Sequence, residues 1–152
     1  GNLTYEATSS RALAIKGNAE QGAALFRTQG CAACHTTADG QTPKGPHLFE
    51  IGKRYKPEEL IESVLRPSAK LAQGYETWAF QLTDGRTVQG FIVSERAAST
   101  LLREANGTER ELRKADIEEK SSQRLSSMPE GLVGNLTPSQ LADLLAYLNS
   151  LR

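Results

Sequence analysis

Residues 31–35 read Cys31-Ala32-Ala33-Cys34-His35, and the fold turns on what two thiols and an imidazole at this spacing are for. The chain has no other cysteine, and its only other histidine is His47. Cysteines three positions apart close too small a loop to staple a domain, so whatever they do is local. Upstream, Asn18 has the character of a helix N-cap, with Gln21 as its capping-box partner. The spacing predicts a helix from about Ala19 to Gln29, carrying Ala24, Leu25 and Phe26 and stopping at Gly30. Gly22 lies inside that helix, where glycine costs about 1 kcal/mol against alanine. A second helix crossing there would need the missing side chain.

Three uses of the motif compete. A zinc site needs about four Cys or His ligands. Cys31, Cys34, His35 and His47 could just make four, but adjacent Cys34 and His35 chelate one ion poorly. A thioredoxin-like dithiol belongs at a strand-to-helix junction in a βαβ pattern, whereas this pair follows a helix and precedes glycine- and proline-rich chain. A covalently attached haem uses every residue. Two thiols can add across two porphyrin vinyl groups, and the adjoining histidine then supplies a nitrogen to iron. Residues 32 and 33 need only be small, and both are alanine.

The chain has one methionine, Met128, in Ser126-Ser127-Met128-Pro129. A packing methionine normally sits on an apolar helix face. This one sits in a polar, proline-bounded loop, which makes it the candidate sixth ligand to an iron already held by His35.

The bulk numbers are compatible with this. At 152 residues the chain is one domain, or one domain with an insertion, and long enough to bury a core. Its 18 basic and 18 acidic residues give no net basic field for nucleic acid. No apolar run approaches the roughly 20 residues of a membrane span, and no secretory signal is visible. The start at Gly1, without methionine, leads us to expect a processed chain or a piece of a longer protein. No carboxylate pair, Ser/His/Asp set or phosphate loop argues for an enzyme.

Along the chain, residues 1–17 are polar and weakly patterned and read as a tail or linker, with at most a turn of helix near Arg11–Ile15. Pro57-Glu58-Glu59 opens a helix whose apolar face is Leu60, Ile61, Val64 and Leu65, ended by Pro67. From Tyr75 the period changes: Trp78, Phe80 and Leu82 alternate with polar or small residues. Asp84-Gly85 and Asn106-Gly107 are hairpin signals, between and beyond which lie Thr87–Val93, Thr100–Arg103 and Glu109–Arg113. An antiparallel meander of three or four strands follows, over about residues 75–117. Thr137-Pro138-Ser139-Gln140 opens the last helix, with a stripe of Leu141, Leu144, Leu145, Leu148 and Leu151 beside Tyr147.

Taken together, Gly22 and Phe26, Cys31-Ala32-Ala33-Cys34-His35, Gly45-Pro46-His47-Leu48, Met128-Pro129 and Tyr147 resemble a class I cytochrome c. The resemblance implies a mainly α domain over residues 18–152, folded around one covalent haem c. It implies His35 and Met128 as axial ligands, the Pro46 carbonyl as acceptor of the His35 N–H, and first and last helices crossing at Gly22 with Phe26 and Tyr147 in contact. It also implies one-electron transfer without catalytic residues. The departure is the small β insertion, which helps to stretch the interval from His35 to Met128 to 93 residues (128 − 35). Gly45-Pro46-His47-Leu48, Arg66-Pro67-Ser68 and the strand pair Tyr75–Thr83 and Val88–Val93 make the chain more similar to the haem-binding domain appended to large secreted dehydrogenase-like proteins. That resemblance implies a relay from a dehydrogenase-like donor to a terminal acceptor. The partners are then redox proteins or domains of the same longer chain, in the bacterial periplasm or outside the cell. The alternative is a haem sensor or peroxidase-like domain with a displaceable sixth ligand.

Five further residues carry two readings each. His47 is a rival ligand or a structural histidine, and its place beside Pro46, on the His35 side of the ring, favours the second. Arg54 and Tyr55, with Lys53, either bind haem propionates or form a solvated cluster before a helix. Trp78 either donates its N–H to a propionate or packs in the core of the sheet.

Overall fold

The computed structural model describes residues 4–38, 45–71, 75–104, 107–126 and 128–152. It separates into two compact units, one of Gly1–Ala69 with Glu130–Arg152, the other of Lys70–Pro129.

The first unit is helical, with α1 Tyr5–Ala14, α2 Ala19–Thr28, α3 Ile51–Arg54, α4 Pro57–Leu65 and α5 Pro138–Ser150. The last helix is the hub: α1, α2, α3 and α4 all touch it. Its start is capped reciprocally, Gln140 N–H donating to Thr137 Oγ1 (3.2 Å) and Thr137 N–H to Gln140 Oε1 (2.9 Å), with Pro138 at the first helical position. Leu141, Leu144, Leu145 and Leu148 are buried with Phe26, Ile51, Leu60, Ile61 and Val64 in one core. The crossing expected at Gly22 is present. A β-carbon on Gly22 would lie 1.9 Å from Asp143 O, so only glycine lets the two backbones meet. One turn along, the Phe26 and Tyr147 rings pack edge to face, centroids 5.4 Å apart. Asn18 caps α2 by accepting from Gln21 N–H (3.0 Å), but its own N–H goes to Asp143 Oδ1 on α5 (2.8 Å) and not back to Gln21.

The expected tail over residues 1–17 is corrected by α1. Thr4 Oγ1 caps it, accepting from Ala7 N–H at 3.1 Å, and Ala12 is 1% exposed in the helical core. Arg66 fixes its start, with its guanidinium 3.7 Å from the centre of the Tyr5 ring and 3.6 Å from the Glu6 carboxylate. Its few, small buried residues give too faint a stripe to register as periodicity.

The second unit is a five-stranded antiparallel sheet: β1 Glu76–Leu82, β2 Thr87–Glu95, β3 Ser99–Arg103, β4 Glu109–Arg113 and β5 Ile117–Ser126, in spatial order β4-β3-β2-β1-β5. Phe80 faces Val88 across β1 and β2, and these two with Leu82, Leu102 and Leu112 form a core of the sheet's own. The Asp84-Gly85 turn is as expected, Gly85 at φ 90°. Of the second turn, Gly107 has φ 87°, while Asn106 lies outside the described residues. The insertion is larger than expected, because β5 extends it to Ser126. β5 reads Ile-Glu-Glu-Lys-Ser-Ser-Gln-Arg-Leu-Ser, with no alternation to betray a strand. "Mainly α" therefore fits the helical unit, while the whole chain mixes helix and sheet.

Candidate functional site

The motif sits where α2 ends. Gly30, at φ 84°, turns the chain out of the helix into a single 3₁₀ turn over Cys31–Ala33. Cys31 O accepts from both Cys34 N–H (3.2 Å) and His35 N–H (2.9 Å), so both cysteines and the histidine belong to one tight turn. Neither cysteine is in a disulfide, both are half-buried, and Cys31 packs against the helical core. Burial pushes the Cys31 thiol above its ordinary pKa; its own backbone hydrogen bond opposes this, and Cys34 adds to the rise.

His35 Nδ1 lies 2.7 Å from Pro46 O. A carbonyl only accepts, so Nδ1 carries the proton and Nε2 keeps its lone pair. Burial lowers the pKa of this imidazole, against the opposing effect of the Pro46 bond, and so favours the neutral form that binds a metal. Beside the ring opens a cleft of about 240 Å³, bordered by Phe26, Arg27 and Tyr147. The donor set fits a covalently held haem: two accessible thiols for thioether bonds, and one imidazole oriented by a carbonyl with its other nitrogen free. Among the described residues, no three His, Cys, Asp or Glu side chains gather as a metal cage.

A family model described as Cytochrome c matches residues 19–98. The chain belongs to the cytochrome c family. The match covers more than half the chain, taking in α2, the Cys31–His35 motif and Pro46, and it ends before Met128 and α5. None of the curated proteins matches it. As a cytochrome c, the chain carries covalently attached haem c with its iron and serves haem-based electron transfer. No helix among the described residues is long and apolar enough to cross a membrane.

The other expected site residues divide between the units. Arg54, exposed on α3, donates from Nη2 to His47 O at 3.4 Å, which places it beside the Pro46–His47 stretch. Tyr55 follows it, exposed, and Lys53 is paired with Glu50 at 3.0 Å. Trp78 belongs to the sheet unit, where it packs against the sheet's core with Lys120 Nζ 5.4 Å from the ring centre. Met128 is half-buried on the bend after β5 and donates its N–H to Ser126 Oγ (3.1 Å).

Two residues escaped the sequence. Thr36 is buried and hydrogen-bonded through Oγ1 to His47 Nδ1. Gln29 Nε2 donates to Leu132 O (2.7 Å) and Asn135 Oδ1 (2.8 Å), joining the end of α2 to the segment before α5. A threonine beside the motif and a glutamine at a helix end carry no signal of such partners 11 and more than 100 residues away.

Proposed function

We propose that Cys31 and Cys34 form the two thioether bonds to the haem and that His35 and Met128 are its axial ligands. The bound haem supplies a one-electron couple at iron, shifted to higher potential by a thioether ligand. The observation that carries the reading is the His35–Pro46 hydrogen bond, which fixes the tautomer and leaves Nε2 for iron. The polar, proline-bounded setting of Met128, the chain's single methionine, supports the sixth ligand. With both axial positions taken, iron offers no place for substrate, which suits electron relay over catalysis. Arg54 and Tyr55 are proposed to meet the propionates, since both follow the Pro46–His47 stretch closely. The closer sequence resemblance assigns a dehydrogenase-like donor, a terminal acceptor, and a periplasmic or extracellular setting in bacteria. The donor and acceptor are proposed to be separate redox proteins or domains of one longer chain.

Exposure of the reduced, haem-loaded protein to carbon monoxide tests this. A closed coordination sphere gives no binding at neutral pH and a single one-electron wave on potentiometric titration. Rapid, tight binding would instead assign a sensor or peroxidase-like role with a displaceable Met128.

A further inference from the structure

We infer that Thr36 and His47 act as a pair that sets the plane of the His35 imidazole, working through Pro46; the inference rests on the His35 ligation proposed above. Residues 35–36 and 46–48 run side by side and are joined at three successive places. His35 Nδ1–H donates to Pro46 O (2.7 Å), Thr36 Oγ1 is hydrogen-bonded to His47 Nδ1, and Leu48 N–H donates to Thr36 O (2.7 Å). A carbonyl orients an imidazole only if the carbonyl itself is held. Proline has no N–H, so Pro46 cannot be anchored through its own amide. The anchoring bonds come from the two residues after it.

The Leu48 bond is backbone to backbone, and any residue but proline can make it. The Thr36–His47 bond depends on those two side chains. Thr36 is only 7% exposed, so its hydroxyl has little access to water as a substitute partner. The His47 ring is held from the other side by stacking on Phe49, centroids 5.8 Å apart and planes 23° from parallel, and its backbone carbonyl accepts from Arg54. His47 is therefore a positioning residue for the ligand that Pro46 touches, and not a competitor for iron.

The test uses the haem-loaded protein with Thr36→Val, His47→Leu, the two combined, and the milder Thr36→Ser and His47→Asn, which keep a hydrogen-bonding group. The readout is the hyperfine-shifted haem-methyl resonances of the oxidised protein, whose spread follows the plane of the axial imidazole, together with the thermal midpoint. Thr36→Val and His47→Leu each redistribute the methyl shifts, and the double variant goes no further than the larger single change. Thr36→Ser and His47→Asn keep the wild-type spread. A wild-type spread in Thr36→Val and His47→Leu, even with a lowered midpoint, would reduce the pair to ordinary packing and overturn the inference, as would fully additive shifts. A wild-type protein lacking low-spin methyl resonances would bring down the haem ligation and this inference together. A normal wild-type spectrum with unresponsive variants brings down the inference alone.

Discussion

The helical unit and the sheet unit reach stability by opposite routes. In the sheet, β1 to β4 follow one another as neighbours and only β5 returns to pair with β1. Its core of Phe80, Leu82, Val88, Leu102 and Leu112 is drawn from a continuous stretch of chain. The helical unit is closed by contacts between distant segments: Asn18 N–H reaches Asp143, and Gln29 reaches Leu132 and Asn135. The Cys31 and Cys34 thiols and the His35 imidazole belong to this unit, all of them half-buried. Pairing between neighbours in the chain closes short loops, whereas distant closure costs more loop entropy before any contact is gained. The difference teaches that the unit carrying Cys31, Cys34 and His35 is the one whose closure depends on contacts between segments far apart in the chain.

The largest effect that would break this comparison is loss of attachment. Cys31→Ser with Cys34→Ser is expected to strip hydrogen-exchange protection from α2, α4 and α5 while the sheet keeps its own; simultaneous loss in both units would show that they stand or fall together. Phe80→Ala should act in the reverse sense, costing about 3–5 kcal/mol within the sheet, since the side chain is 0% exposed. The haem content, measured as the pyridine haemochrome, should stay unchanged. Gly22→Ala should cost about 1–3 kcal/mol, because the added carbon meets the backbone of α5; a denaturation midpoint equal to wild type would mean that the crossing is looser than it looks. The smallest effect is at the β1–β2 turn. The Arg86 N–H and guanidinium hold the Asp84 carboxyl below its ordinary pKa. A lowered folded value stabilises the turn above the unfolded pKa and is lost as pH falls through the folded one. Because Asp84 is fully exposed, Asp84→Asn should barely move the unfolding midpoint, while an NMR titration should place the carboxyl below 3.8, its ordinary value.

The same contrast explains what was legible in the chain. The motif, its helix, the α5 cap and stripe and the Asp84-Gly85 turn are written in residue types at short spacing, while the tie from His35 to Pro46 came only with the family resemblance. Helix α1 was hidden because alanine and serine bury it without a hydrophobic stripe. Strand β5 was hidden because an edge strand largely exposed on both faces has no need to alternate. The Thr36–His47 bond was hidden for another reason: two ordinary polar residues become partners only where residues 46–48 lie alongside 35–36. His47 drew notice as a spare histidine, and its partner drew none.

The most direct test of the central claim is the near-infrared absorption of the oxidised, fully matured protein. Ligation by His35 and Met128 predicts a weak sulfur-to-iron band in the wild type that vanishes, with a lowered reduction potential, in Met128→Ala. A colourless protein, or a band and potential that survive Met128→Ala unchanged, would contradict it.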